Sequence, residues 1–325
     1  MGGRRGFADL VRGASRRVRG ESTASVLHRT DRPAAWYGDD LSPLDGLHND
    51  ELVRRLAVVR GRETELDAVL AARSTVQPTT LQDHEVERFF AQGYLVVAQL
   101  SSPEELAVTR MIYDELFEAR AGRAEGLYSD PAADDDPEGT VVFPKIHQIY
   151  RFSPELVATG FMANARTIAG QLFAGQVEFL GGRGMLKPPF CPGATSWHQD
   201  AAYHSPDLVY RNVNFWLALQ DSPVQSGAMQ FVPHSHRGSV VHEHKRDHGH
   251  GLELADLSTV SEVVSCPLPA GGATLHHSYL LHHTAPNHTG FPRRALIAIF
   301  GQPPKPRSEP LRFPWQNPRP GEPGE

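Results

Sequence analysis

From about Val177 the chain breaks into short β-prone runs, at residues 177–180, 184–187, 213–219, 228–232, 262–266, 273–282 and 294–300, parted by clusters of Gly, Pro and Asn. Few folds accept this pattern. Strands so short bury their apolar faces only when many of them close into a barrel or stack as two sheets. Helical signals come earlier. Asn49-Asp50 offers an N-cap to a helix with Leu52, Leu56, Val59, Leu66 and Leu70 on one stripe. Thr80 and Asp83 open a second helix, which Gly93 ends before a strand at Tyr94-Leu95-Val96-Val97. Ser102-Pro103-Glu104-Glu105 holds a capping box with Pro at the first helical position. Ser153-Pro154-Glu155 starts a further helix, which Gly170 ends. Helices first and strands later give the expected class: α+β, a β core with N-terminal helices packed on it.

Gln77-Pro78 marks the join between a partly helical N-terminal extension, residues 1–79, and a main domain, residues 80–301. Residues 302–325 are crowded with Pro and read as an extended, poorly packed tail. The first 20 residues carry Arg4, Arg5, Arg12, Arg16, Arg17 and Arg19 against the single acid Asp9, with no sustained apolar run after them. That is a mobile tail or a surface amphipathic helix, not a secretory signal. Residues 129–139, rich in Asp, Pro and Ala, read as a solvated loop without the spacing of a calcium loop. The net charge of -6 speaks against nucleic-acid binding, and no apolar run is long enough to span a bilayer. The two cysteines, Cys191 and Cys266, make neither a disulfide framework nor a Cys-rich zinc site, and fit a cytoplasmic, reducing setting. The 17 His are many for 325 residues and turn attention to metal chemistry.

Thr195-Ser196-Trp197-His198-Gln199-Asp200 reads as short extended structure. Residues i and i+2 of such a segment point to the same side, so His198 and Asp200 present a nitrogen and a carboxylate oxygen to one point. That point suits a borderline divalent metal. Two His and one carboxylate with other positions open is the set used by non-haem Fe(II) oxygenases. The second His is to be sought between Leu275 and Asn287. In one strand, His276, Ser278, Leu280, His282 and Thr284 share a face, and His277, Tyr279, Leu281 and His283 share the other. Periodicity does not choose between them.

Several segments occur in a telling order. Asp83-His84-Glu85-Val86-Glu87-Arg88-Phe89-Phe90-Ala91-Gln92-Gly93-Tyr94 comes first, then Trp197-His198-Gln199-Asp200, then Asn214-Phe215-Trp216-Leu217-Ala218-Leu219-Gln220-Asp221. Ser226-Gly227-Ala228-Met229-Gln230-Phe231-Val232-Pro233-His234-Ser235-His236 follows, then His282-His283-Thr284-Ala285-Pro286-Asn287, and finally Arg293-Arg294-Ala295-Leu296. Over about Thr80 to Gly301 the chain thereby resembles the phytanoyl-CoA dioxygenase family, within the Fe(II)/2-oxoglutarate oxygenases. The resemblance implies a double-stranded β-helix core, jelly-roll or cupin-like. It implies Fe(II) held by His198, Asp200 and His282, the His five residues before the Asn. It implies 2-oxoglutarate anchored by Arg293, with O2 as the oxidant. Arg294 competes for the anchor, because alternation turns only one of the pair inward. Thr284 is placed to donate to the same carboxylate. Gln199 and Trp216 match positions near the co-substrate, though Trp216 is equally a core residue. Lys187 faces either the pocket or a solvated strand end.

The family commonly has Gly where this chain has His234 and His283, and the extra bulk is expected to narrow the pocket. Family halogenases replace the carboxylate ligand with a small residue, so Asp200 points away from halogenation. The expected activity is oxidation of a polar small-molecule substrate, as hydroxylation or a related cyclisation or desaturation, in specialised-metabolite biosynthesis. Tyr203, His204, Asn212 and Asn214 are expected on the pocket side. The alternative is a metal-binding jelly roll without redox chemistry: a zinc hydrolase, isomerase or sensor.

Overall fold

The structure, a computed structural model, describes residues 50–130, 143–244 and 252–316. The expectations for residues 1–49 and for most of the acidic loop lie outside these.

The expected N-terminal stripe is two helices, α1 (Asp50–Arg60) and α2 (Glu63–Arg73). Gly61, at φ 65°, takes the left-handed conformation that ends the first. The break rotates the buried set to Val53, Ala57, Leu66 and Val69, and leaves Val59 67% exposed. Helix α3 (Asp83–Gln92) starts later than expected: Gln82 is its N-cap, with its N–H donating to the Glu85 carboxylate at 2.9 Å. Gly93, at φ 88°, closes it and releases the chain into β1 (Tyr94–Val97). Helix α4 (Pro103–Glu118) begins as its sequence dictates, the Ser102 Oγ accepting from the Glu105 N–H at 3.1 Å. Strands β2 (Tyr128–Ser129) and β3 (Lys145–His147) follow. Pro154 opens only a 3-10 turn, whereas α5 (Gly160–Phe173) is capped by Thr159, runs through Gly170 and ends at Ala174.

The remaining strands are β4 (Glu178–Lys187), β5 (Thr195–His198), β6 (Leu208–Ala218), β7 (Met229–Phe231), β8 (His242–His244), β9 (Leu252–Leu254), β10 (Val264–Cys266), β11 (Ala273–His277), β12 (His282–Thr284) and β13 (Arg293–Pro306). Two expected runs merge into β4, and the run at 273–282 divides into β11 and β12. The chain beyond Gln302 is better packed than its Pro content suggests. Strand β13 pairs with β6 as far as Pro306, and Phe313 and Trp315 are buried, with Trp315 Nε1 donating to the Ala202 carbonyl at 2.9 Å.

One sheet has the order β1-β11-β6-β13-β4-β3-β2, a second β10-β7-β12-β5, and β8 and β9 form a small ribbon. Pairing within them is antiparallel. Alternation gives the larger sheet two different faces. Val213, Phe215, Leu217, Leu275, Leu296, Ala298 and Phe300 join α1 to α5 in one large apolar core. The opposite face sets Trp216, Ala218, Ala295, Ile297 and Ile299 against Met229, Phe231, Cys266 and Leu280 of the second sheet and its loops. The result is a double-stranded β-helix, with helices over the outside of one sheet and a second core between the sheets. Among the described residues no helix is long and apolar enough to cross a membrane.

Gly182 shows how tightly the layers fit. A Cβ there would lie 2.1 Å from the Ile297 carbonyl oxygen and 2.5 Å from the Tyr150 ring. Gly182→Ala is expected to cost about 3 kcal/mol, at the upper end of overpacking effects. Gly238→Ala, which meets nothing within 4 Å, should stay within about 0.5 kcal/mol. Urea unfolding of the two variants checks this.

Candidate metal centre

His198 and His282 are direct partners across the β5–β12 pairing, with ring centroids 4.1 Å apart. Strand β5 ends at His198, but Gln199 stays extended at φ -109°, ψ 131°. The alternation therefore carries one residue past the strand and turns Asp200 to the same side. His198 Nε2 lies 3.7 Å from Asp200 Oδ1, and His282 Nε2 lies 3.9 Å from Asp200 Oδ2. The three ligating atoms fall within 4.8 Å of one another, all on buried residues, a set able to hold a metal ion.

The tautomers suit that role. His198 Nδ1 faces the Ser196 carbonyl at 2.8 Å, and His282 Nδ1 faces the Leu280 carbonyl at 2.9 Å. Each Nδ1–H donates to a backbone oxygen, which leaves Nε2 with a lone pair aimed at the common point. Burial, together with the neighbouring His198, holds His282 well below its usual pKa and keeps it neutral. Burial alone would push the Asp200 carboxyl up. The cationic Arg183 guanidinium, 3.2 Å from Oδ1, outweighs it and holds the group ionised well below the usual carboxylate range. Two imidazole nitrogens and one carboxylate, converging on one buried point, fit Fe(II).

The other histidines sort by sheet. His276 belongs to β11 and approaches from the opposite layer, its Nε2 3.4 Å from Asp200 Oδ2. His277 turns away toward His236, with ring centroids 5.6 Å apart. His283 stacks on Trp197 at 5.1 Å, on the outer side of β12. His234 is exposed, sits at φ 66°, and its Nδ1 lies 2.7 Å from the Ala91 carbonyl. Neither His234 nor His283 narrows the interior. The backbone at His234 is left-handed, a conformation that Gly adopts at no steric cost.

Arg293 and Arg294 point to opposite faces of β13. Arg294 reaches outward, Nε 2.6 Å from Asp114 Oδ1 and Nη2 2.9 Å from Oδ2. Arg293 is fully buried between the sheets, and none of its three guanidinium nitrogens has a hydrogen-bond partner. Its guanidinium carbon lies 5.1 Å from the centre of the Trp216 ring. Burial lowers its pKa to about 10, so it stays cationic at neutral pH. A buried, unpaired cation is costly, and a bidentate anion matches its fork.

Lys187 is the cross-strand partner of Arg293 and is also fully buried. It is not a solvated strand end. Its Nζ donates to the Thr284 carbonyl at 3.0 Å and to the Ala285 carbonyl. Burial, with Arg293 nearby, lowers its pKa to about 6. The Thr284 hydroxyl lies 3.1 Å from that of Thr195.

Gln199 departs from expectation. Its amide nitrogen donates to the carbonyls of Gly238 at 2.8 Å and Tyr279 at 2.5 Å, and its oxygen accepts from the Val240 N–H. Both its N–H groups are engaged, so Gln199 ties loops around the metal point. Arg183, absent from the sequence reading, donates from Nη2 to Asp200 Oδ1 at 3.2 Å. Alternation from Lys187 through Met185 reaches it, but the β-prone run starts only at Gly184. Asn287 was read as a motif landmark. It is fully buried and braces the adjoining loop, its side-chain amide donating to the Pro188 carbonyl at 2.9 Å and the Phe291 carbonyl at 2.8 Å.

The sequence model of the phytanoyl-CoA dioxygenase family matches residues 89–295. Phytanoyl-CoA dioxygenase domain-containing protein 1 of Danio rerio is 24% identical over 248 residues, covering 64% of this chain and 85% of that protein. Ectoine dioxygenase of Streptomyces anulatus is 24% identical over 265 residues, covering 74% and 85%. Among solved structures, EvdO2 from Micromonospora carbonacea var. aurantiaca is 30% identical with a TM-score of 0.64, over 75% of this chain and 100% of that one. EvdO2 has also been solved with 2-oxoglutarate.

Proposed function

The chain belongs to the phytanoyl-CoA dioxygenase family and is a 2-oxoglutarate-dependent dioxygenase; from that premise we propose that it oxidises a polar small-molecule metabolite. In this reading Fe(II) sits on His198, Asp200 and His282. Fe(II), 2-oxoglutarate and O2 together supply the oxidising equivalent, with succinate and carbon dioxide as the co-products. The chain's own residues set where that happens. Arg293 would take the distal carboxylate of 2-oxoglutarate, a role that suits its planar fork of donors, and the Trp216 ring lies 5.1 Å from its guanidinium carbon. The Lys187 amine ties β4 to β12 two residues from His282. The Thr195 and Thr284 hydroxyls lie along the same stretch. We read the reaction as hydroxylation or a related cyclisation or desaturation of the metabolite, in specialised metabolism.

Arg293 carries the reading. A zinc hydrolase does not call for a buried, unpaired guanidinium, and a dicarboxylate co-substrate does. The purified protein loaded with Fe(II) is expected to convert 2-oxoglutarate to succinate under air, and to stop on chelation of the metal. Coupled succinate detection measures it. No succinate with Fe(II), together with hydrolytic turnover with Zn(II), would sink the proposal.

A further inference from the structure

The interior face of the larger sheet changes character away from Arg293. Asn212 and Asn214 share the inward face of β6 with Trp216. Thr274 and His276 share the inward face of β11, and His276 stands directly opposite Asn214. Ser278 follows on the turn out of β11, its carbonyl accepting from the Ala201 N–H at 2.9 Å, beside Asp200. Asn212, Asn214, Thr274 and Ser278 are fully buried, and His276 is 3% exposed. Neither amide of Asn212 and Asn214, neither hydroxyl of Thr274 and Ser278, nor Nδ1 of His276 has a hydrogen-bond partner among the described residues. Buried polar groups are ordinarily paired, so five such side chains on one wall mark a surface built for a ligand. His276 joins this wall to the metal point through its 3.4 Å approach to Asp200.

We propose that Asn212, Asn214, Thr274, His276 and Ser278 form the subsite for an uncharged, polyhydroxylated primary substrate, a sugar or cyclic polyol. The inference rests on the oxygenase reading of the metal centre. The chemistry of the wall selects the class. A side-chain amide offers two N–H donors and a carbonyl acceptor, and the hydroxyls and the imidazole both donate and accept. A carboxylate or phosphate only accepts and would leave the amide oxygens unpaired. An ammonium only donates and would leave the amide N–H groups unpaired. The cation in reach is Arg183, and its guanidinium is engaged with Asp200. An anionic substrate group would therefore be buried without a free countercharge. A hydroxyl donates and accepts at once. Asn212 and Asn214, two residues apart on one face, are spaced by about 7 Å and so grip hydroxyls on opposite sides of one ring.

The test measures succinate release by the Fe(II)-loaded, full-length protein with two sets of probes. The neutral set is sucrose, trehalose, maltose and myo-inositol. The charged set is L-arginine, ectoine and an acyl-CoA thioester. At least one neutral probe is expected to accelerate succinate release. Asn214→Leu and Asn212→Leu are each expected to lose about tenfold of that acceleration, the worth of a hydrogen bond. The charge-transfer absorption of the anaerobic Fe(II) and 2-oxoglutarate complex checks that both variants still load. Acceleration by the charged set alone, by neither set, or equally in wild type and both variants overturns the subsite. Absence of succinate without any probe would remove the oxygenase reading beneath it, a result separate from these.

Discussion

His282→Ala is expected to fold and to release no succinate above buffer background, while His283→Ala keeps most of the activity. The two residues are neighbours in sequence and opposite in space. His282 Nε2 points into the cluster with Asp200 and His198, and the His283 ring lies against Trp197 outside it. Loss of an outer hydrogen-bonding partner costs roughly 10–100-fold in metal affinity or activity, so loss of one of three direct ligands should exceed that range. His198→Ala and Asp200→Ala should match it. Iron content after dialysis separates failure to bind metal from failure to turn over. Full activity in His282→Ala, with loss in His283→Ala, would mean that β12 presents its other face.

The second large effect belongs to Arg293. Arg293→Ala should raise the apparent KM for 2-oxoglutarate by about 30-fold or more, because removing one partner of a buried charge pair costs about 2–5 kcal/mol. The primary substrate's KM should move far less. A second readout separates a binding role from a structural one. Arg293→Leu removes a buried cation that has no protein partner, so the co-substrate-free protein should be at least as stable as wild type. The sign with pH is simple. Burial lowers the Arg293 pKa to about 10, below its unfolded value, so the unfolded chain binds the extra proton only above about pH 10. Stability at pH 7–8 carries no titration from this group. Arg294→Ala breaks a half-exposed pair with Asp114 and is worth at most about 1 kcal/mol, with no change in the 2-oxoglutarate KM. The reverse pattern, with Arg294 setting that KM, would move the anchor by one residue.

The His198, Asp200 and His282 cluster was legible for two reasons: an extended His-x-Asp is local, and the family's pattern points to the His five residues before Asn287. What lay beyond the sequence was tertiary. His276 and His282 obey one alternation on paper, yet a turn between His277 and Leu280, closed by a 2.8 Å hydrogen bond, sends them to different sheets. No Gly or Pro marks that turn. The pair Arg293-Arg294 is symmetric to any periodicity argument, and only the packing of β13 between helices on one side and the second sheet on the other breaks it. Gln199 looked like a ligand because of its place in the motif; partners 39 to 80 residues away claim its whole amide. The helix ends read from Gly93 and Ser102 hold because capping is local.

The opposition of His198 and His282 also governs which changes in length this scaffold tolerates. Side chains in a strand repeat every two residues, so one inserted or deleted residue inside β5 or β12 exchanges the two faces at a stroke. One imidazole would leave the centre, and a side chain from the other face, Trp197 or Gln199 at β5 and Leu281 or His283 at β12, would move toward its place. The same change in the segment joining β4 to β5 slides nothing past anything. Descendants of this chain can therefore vary loop lengths freely and acquire new specificities there. Frame changes within these two strands end the chemistry in a single step, without passing through a weaker enzyme.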